Sequence, residues 1–269
     1  MAGVRLVATD LDGTFLGPGG TVTERAVAAV AAARAAGVDV IPVTARAPRS
    51  TRRIAATAGF GPLAVCANGA VVYDLAQESV LHHSPLAAEV AAGLVAAVRD
   101  AVPGVFFACE TVDVLVPEHG LLDVEAARAW GLRVDHVPDV CPHLDQEVTK
   151  LICHHPDLAA RELMDVVAGV CGAEGHVTSA GATWAEIGAP GVTKAYALDL
   201  VCDLLGLSVG EVVCVGDELN DLPMLAWAET AVAVANACPE VLALADRIVP
   251  PNSEDGVAQL LEELGDRAG

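Results

Sequence analysis

The stretch Val4-Arg5-Leu6-Val7-Ala8-Thr9-Asp10-Leu11-Asp12-Gly13-Thr14 decides how this chain is read. Val4–Ala8 is an apolar run of the length that makes a buried strand. It runs into two carboxylates, Asp10 and Asp12, spaced i, i+2, so both are expected to lean to one side of the strand end. Carboxylates that close repel, and one is driven neutral unless a cation lies between them. The simplest such cation is Mg²⁺, a hard ion that prefers oxygen ligands. A divalent metal beside a free aspartate at the carboxyl end of a strand is equipped for chemistry on phosphate. Asp12-Gly13 also reads as an ordinary turn dipeptide, so the rest of the chain has to decide.

Outward from that stretch, short apolar runs alternate with Ala-rich helical patterns. Thr21 or Thr23 is placed to cap a helix reaching about Ala36, with Gly37 as its stop; Thr21 and Glu24 have capping-box spacing. A strand follows over Val38–Val43, then Thr44, then a helix over Pro48–Ala58. Leu63–Cys66 reads as a further strand, ending at the turn signal Asn68-Gly69. Strand, helix, strand, helix predicts a parallel sheet with covering helices. The C-terminal part repeats the pattern: helix Lys194–Leu205 stopped at Gly206, strand Val212–Val215, helix Asp221–Ala228, strand Ala231–Val234, helix Pro239–Leu244, strand Ile248–Val249 and helix Gly256–Leu264.

The middle reads differently. Val105–Cys109 and Val112–Val116 look like paired strands, Leu86–Val102 and Pro156–Val170 like helices. Val148–Cys153, His176–Ser179 and Thr183–Ile187 look like further strands. All eight histidines fall between 82 and 176. The expected architecture is therefore α/β: a Rossmann-like, doubly wound parallel core from residues 1–81 and 191–269, interrupted by an inserted α+β domain over 82–190. Hinges are expected near 80–85 and 188–192, where Pro85, Gly188, Pro190 and Gly191 gather.

Composition narrows the function. With 269 residues and a hydrophobic fraction of 54%, the chain can fill a large core. The formal net charge of −21 argues against nucleic acid, whose binding relies on Lys and Arg neutralising phosphates. It argues equally against anionic membranes, and no apolar run is long enough to span a bilayer. An anionic substrate therefore needs a site made locally positive by a metal and a few fixed cations. Lysine occurs twice, at Lys150 and Lys194, against thirteen arginines, which suggests a need for a compact ammonium at those points. The eight cysteines form no CxxC pair and no signal-peptide pattern precedes them, so reduced thiols in the cytoplasm are expected. Cys153-His154-His155 fits no zinc spacing.

Three further motifs sit at strand ends or helix starts: Thr44-Ala45-Arg46, Gly191-Val192-Thr193-Lys194 and Gly216-Asp217-Glu218-Leu219-Asn220-Asp221. In an open parallel sheet, ligands bind beyond the carboxyl ends of the strands. Asp10, Asp12, Thr44 and Asp217 should converge there, with Lys194 arriving from a helix N-terminus. The set matches phosphoryl transfer: Asp10 as a carboxylate nucleophile, Asp12 to pass a proton, Mg²⁺ to neutralise charge, and Thr44 and Lys194 to hold the transferred group. Competing readings make Asp217 a helix cap, Thr44 a buried strand residue, Lys194 a solvated lysine and Asn220 a turn residue. Of Arg46, Arg49, Arg52 and Arg53, Arg46 is the one expected at the substrate, and the others read as a solvated helix face.

These motifs together resemble the haloacid dehalogenase superfamily of phosphatases, in particular its Cof-like subfamily with a type-B inserted cap. The likeness covers nearly the full length. Asp10-Leu11-Asp12-Gly13-Thr14 resembles the first superfamily motif, Thr44 the second, Lys194 the third and Gly216-Asp217 with Asn220-Asp221 the fourth. Asn68-Gly69, Asn236-Ala237 and the run Asn252 to Ala258 are also like that subfamily. Two positions depart from it: Ala45 and Ala195 stand where glycine is common. The resemblance implies that Asp10 forms an aspartyl-phosphate and that Asp12 serves as general acid, then general base. It implies Mg²⁺ held by Asp10, the main-chain carbonyl of Asp12 and Asp217, with Asp221 supporting the metal directly or through water. Phosphate and substrate would be bound by Gly13, Thr14, Thr44, Ala45, Arg46, Lys194 and Asn220. Glu110, Ser179, Trp184 and Glu186 are candidates for cap contacts to the leaving group.

The expected function is hydrolysis of small phosphorylated metabolites, sugar phosphates foremost, by a monomer or small homo-oligomer without nucleic-acid or membrane partners. A phosphomutase on the same scaffold and a silent phosphometabolite sensor are the rivals. Intact Asp10, Asp12, Lys194 and Asp217 argue against the sensor, and no GxxxxGK[ST] or GxGxxG loop supports another phosphate fold.

Overall fold

The computed structural model describes residues 3–119, 121, 136–180 and 183–268. The chain forms two compact units, one from its two ends (up to His82 and from Thr193 onward) and one from His83–Val192. Strands are numbered in chain order: β1 Leu6–Thr9, β2 Asp39–Pro42, β3 Leu63–Cys66, β4 Val71–Asp74, β5 Ser79–His83, β6 Phe106–Glu110, β7 Leu115–Pro117, β8 Lys150–His154, β9 His176–Thr178, β10 Ala185–Gly188, β11 Val212–Gly216, β12 Thr230–Val234 and β13 Arg247–Val249.

The first unit is built on the parallel sheet β13-β12-β11-β1-β2. Leu6, Val7, Ala8, Val213, Cys214 and Val215 are fully buried, as central strands of a helix-covered parallel sheet must be. Helix Glu24–Ala35 packs on helix Gly256–Ala268, and helix Lys194–Leu205 on helix Leu222–Trp227. Thr23, rather than Thr21, caps the first helix, its side chain accepting from Ala26 N–H at 3.0 Å. Helix Lys194–Leu205 ends at Gly206 in the left-handed conformation, at φ +64°. Among the described residues no helix is long and apolar enough to cross a membrane.

Leu63–Cys66 keeps the expected parallel direction at the Val43–Val65 bridge but is not a full member of the five-stranded sheet. As β3 it pairs antiparallel with β4 in a separate sheet, β3-β4-β5, and meets the parallel strands only at the Val43–Val65 bridge. The cause is local. Ala67, Asn68 and Gly69 have φ of +50°, +57° and +102°, which reverses the chain within a few residues and leaves no room for a crossover helix. The Asn68-Gly69 signal thus outranks strand–helix alternation, and β4 and β5 follow from it.

The second unit holds the antiparallel sheet β7-β6-β8-β10-β9, with helices Ala88–Ala101 and Ala160–Cys171 packed on each other. The strand period of two divides its residues between faces. Ala108, Leu115 and Ile152 share an apolar cluster with partly buried Phe106 and Trp184. Lys150, on the same side of β8 as Ile152, is buried between two carboxylates. Its Nζ lies 2.6 Å from Glu186 Oε1 and 3.4 Å from Glu110 Oε2. Ser179 Oγ donates to the Trp184 carbonyl at 3.3 Å.

Candidate active site

β1 stops at Thr9, so the alternation that would put Asp10 and Asp12 side by side ends before either residue. Asp10 N–H donates to Val215 O at 2.9 Å, which ties it to the neighbouring strand β11. The chain then turns tightly, with Gly13 at φ +84°. A Cβ on Gly13 would lie 2.2 Å from Asp217 Oδ2, so glycine alone lets this loop approach the end of β11. Thr14 Oγ1 donates to Asp217 Oδ1. Asn236 Nδ2 donates to the Gly13 carbonyl at 2.8 Å and Asn252 Nδ2 to the Leu16 carbonyl at 2.8 Å, bracing the loop from the C-terminal part.

The carboxylates that meet are Asp10, Asp217 and Asp221, one oxygen from each lying within 4.8 Å of the others. Asp12 is outside the group, against the expectation that a cation would sit between its carboxylate and that of Asp10. Its carboxylate accepts two hydrogen bonds from Arg46, Nε to Oδ2 at 2.6 Å and a terminal nitrogen to Oδ1 at 2.5 Å. This is the fork geometry that guanidinium and carboxylate favour. Arg46 is thus at the site through Asp12, and that hydrogen bond raises its already high pKa.

Lys194 completes the cluster. Thr193 caps helix Lys194–Leu205 by accepting from Tyr196 N–H at 3.2 Å. Lys194, the first residue of that helix, sends a fully buried ammonium 2.7 Å from Asp10 Oδ1 and 2.6 Å from Asp221 Oδ1. A helix N-terminus disfavours a cation, and the two carboxyl groups at contact distance outweigh that. Burial works against the charged ammonium, but Asp10 and Asp221 drive its pKa upward. Asp221 serves twice: Oδ1 takes the ammonium, while Oδ2 accepts from the main-chain N–H of Asp217 at 2.9 Å and of Glu218 at 3.0 Å. The capping job considered for Asp217 is done instead by a box formed between Glu218 and Asp221, and the Asp217 carboxylate is left to the site.

Buried like charges make the cluster unfavourable by itself. Burial pushes the Asp10 carboxyl well above its ordinary range, against the pull of Lys194 and with the charges of Asp221 and Asp217 adding to the rise. Burial, then the Asp221 charge, pushes Asp217 up to about 7. Three carboxylates against one ammonium leave buried negative charge that an oxygen-seeking cation would neutralise, and the all-oxygen donor set fits Mg²⁺.

Thr44, fully buried, accepts from Arg46 N–H at 3.2 Å, and its carbonyl accepts from Asn68 N–H at 3.0 Å. Ala45 is not among the residues with positive φ, so its methyl group meets no backbone penalty where glycine is common. Asn220 is buried and donates from Nδ2 to Asn68 Oδ1 at 3.1 Å. The pairings Arg46–Asp12 and Asn68–Asn220 have no signature in the sequence, because they span 34 and 152 residues. Asn68-Gly69 carried only a turn signal. All eight cysteines are free thiols.

Comparison with known proteins accords with this geometry. A family profile described as haloacid dehalogenase-like hydrolase matches residues 7–261. The chain is 30% identical over 270 residues to 5-amino-6-(5-phospho-D-ribitylamino)uracil phosphatase YitU of Bacillus subtilis, covering 96% of both. It is 28% identical to pyridoxal phosphate phosphatase YbhA of Escherichia coli, covering 96% of this chain and 97% of that protein. Among solved structures, a haloacid dehalogenase-like hydrolase from Bacteroides thetaiotaomicron shares the fold at a TM-score of 0.80 and 23% identity, covering 97% of this chain and 99% of that one.

Proposed function

This chain belongs to the haloacid dehalogenase-like hydrolase family, and from that premise we propose how it works as a phosphatase: Asp10 attacks a phosphate monoester of a small metabolite, with Mg²⁺ as cofactor. The observation that carries this reading is the meeting of Asp10, Asp217 and Asp221, with the buried Lys194 ammonium against Asp10 and Asp221.

In this reading the Asp10 carboxylate bonds to phosphorus as the ester P–O bond breaks, leaving an aspartyl-phosphate and an alkoxide that takes a proton from Asp12. Asp12 then removes a proton from water, whose oxygen displaces the phosphoryl group from Asp10 and releases inorganic phosphate. Lys194 and Thr44 hold the phosphoryl oxygens, with Gly13, Thr14 and Ala45 lending main-chain groups. Asp12 exchanges a proton only after Arg46 lets go of it, since Arg46 occupies both of its oxygens. An arriving phosphate offers Arg46 a second anionic partner of the right geometry. Mg²⁺ would be held by Asp10, Asp217 and Asp221 with the Asp12 carbonyl, and when bound it neutralises these carboxylates and the phosphate.

The named substrates of YitU and YbhA are both phosphate monoesters of small molecules, which supports a substrate of that class; sugar phosphates remain the first candidates. The inserted residues 82–190 act in this reading as a cap that selects the leaving group. Eight free thiols accord with action in the cytoplasm.

Phosphate release should be measured across phosphorylated sugars, polyols and pyridoxal phosphate with Mg²⁺ present. The reading requires turnover that is lost in excess EDTA and in Asp10→Asn. Turnover surviving either change would refute it, and an isomeric sugar phosphate as product in place of free phosphate would identify a mutase.

A further inference from the structure

We propose that Asn68 is a positioning residue for this reaction: it holds the Asn220 amide so that the buried amide oxygen accepts a hydrogen bond from an O–H in the loaded site. The inference rests on the phosphatase reading above.

Three observations converge on Asn68. The first is its backbone. Ala67 and Asn68 both adopt φ near the left-handed region, +50° and +57°, which costs about 1 kcal/mol or more per non-glycine residue and persists where the surroundings enforce it. The second is the bracing that enforces it. Ala67 N–H donates to Arg46 O at 2.9 Å and Asn68 N–H to Thr44 O at 3.0 Å. On the other side, a Cβ on Gly69 would lie 2.0 Å from the Thr193 carbonyl oxygen. The loop is thus wedged between the Thr44–Arg46 segment and the residue that caps the Lys194 helix. The third is Asn220 itself, one residue before Asp221. Its Nδ2 donates to Asn68 Oδ1 at 3.1 Å, while its buried Oδ1 has no hydrogen-bond partner.

An amide oxygen buried without a donor is unfavourable by about 1–3 kcal/mol. The hydrogen bond to Asn68 fixes which end of the Asn220 amide is oxygen. That oxygen accepts only, so the acceptor oxygens of a phosphate dianion cannot satisfy it. What satisfies it is an O–H, carried either by the leaving group or by the water that ends the reaction.

Asn68→Gly tests this, because glycine keeps the left-handed backbone freely while removing the amide; Asn68→Ser serves the same purpose should the glycine variant not fold. The variant should lose about tenfold in kcat, the value of one hydrogen bond. Competitive inhibition by tungstate, a tetrahedral dianion that carries no O–H near neutral pH, should be unchanged. The losses in Asn68→Gly and Asn220→Ala should be non-additive in the double variant. Loss on both p-nitrophenyl phosphate and glycerol phosphate assigns the O–H to water, and loss on glycerol phosphate alone assigns it to the leaving group. Wild-type kcat on both substrates, or fully additive losses, overturns the proposal. If the wild-type enzyme turns over no phosphate monoester, the phosphatase reading itself fails and this inference goes with it.

Discussion

At the scale of single residues, the site is a problem of like charges brought together. Gly13 makes the approach possible, since any Cβ there would collide with the Asp217 carboxylate at 2.2 Å. Gly13→Ala should therefore leave the fold standing and lower kcat/KM by about 100-fold, the loss that a displacement near 1 Å brings at a reacting centre. Steady-state kinetics beside a thermal melt checks it, and near-wild-type kinetics would show that the contact does not matter. Lys194→Met should do more than remove activity. It strands Asp10 and Asp221 without their ammonium, and breaking a buried pair destabilises by about 3–5 kcal/mol. Denaturant unfolding in EDTA measures that loss, and an unchanged midpoint would contradict it.

The acids and the lysine were legible in the sequence because each follows a strand or opens a helix, and chemistry collects there in a parallel sheet. What escaped was the division of labour among them. Asp12 was read as facing Asp10 on the strength of i, i+2 spacing, but β1 stops at Thr9 and the rule stops with it. Asp221 was read only as metal support, whereas its second oxygen caps the turn that presents Asp217.

At the scale of elements, two signals competed and the more local one prevailed. The β3–β4 hairpin follows from three consecutive positive φ values at Ala67, Asn68 and Gly69, a conformation that an Asn-Gly pair advertises and a strand–helix alternation hides. The helices Pro48–Ala58, Lys194–Leu205 and Pro239–Leu244 were legible to their end residues, because proline at the start or glycine after the end marks them, whereas the central strands, which carry no such mark, were placed but not bounded: β1 runs Leu6–Thr9 against an expected Val4–Ala8. In the inserted unit, β6, β8 and β10 place Glu110, Lys150 and Glu186 together in a buried cluster. Burial opposes the Lys150 charge, yet Glu186 and Glu110 together raise its pKa. Lys150→Met should destabilise this unit by about 3–5 kcal/mol by leaving two carboxylates buried, seen as lost hydrogen-exchange protection in those strands. Unaltered protection would mean the cluster is dispensable. Both lysines of the chain thus have the same surroundings, each an ammonium held between two buried carboxyl groups.

At the scale of the whole molecule, the acidic site should couple stability to pH and, in the proposed reading, to metal. Burial pushes the Asp217 carboxyl up to about 7 from its ordinary value of 3.8, and Asp10 is shifted in the same direction for the same reason. A raised carboxylate pKa means the folded state holds the proton more tightly. Its contribution is favourable below the unfolded value and is lost as pH rises through about 7. The metal-free protein should therefore lose stability across that window. In the proposed reading Mg²⁺ binds the ionised site, so its stabilisation should be larger at about pH 8 than at about pH 5.5, where protons compete for the same oxygens. Thermal melts with Mg²⁺ and with EDTA at the two pH values measure the difference. An equal Mg²⁺ effect at both would separate the metal from these carboxylates.

The most direct measurement is chemical capture of the enzyme during turnover. Borohydride reduces an acyl phosphate, so quenching with it and mapping peptides should convert position 10 to homoserine in the wild type, only with substrate and Mg²⁺ present. Asp10 recovered intact while phosphate is being released, or the label found on another carboxylate, would contradict the claim that this aspartate carries the phosphoryl group.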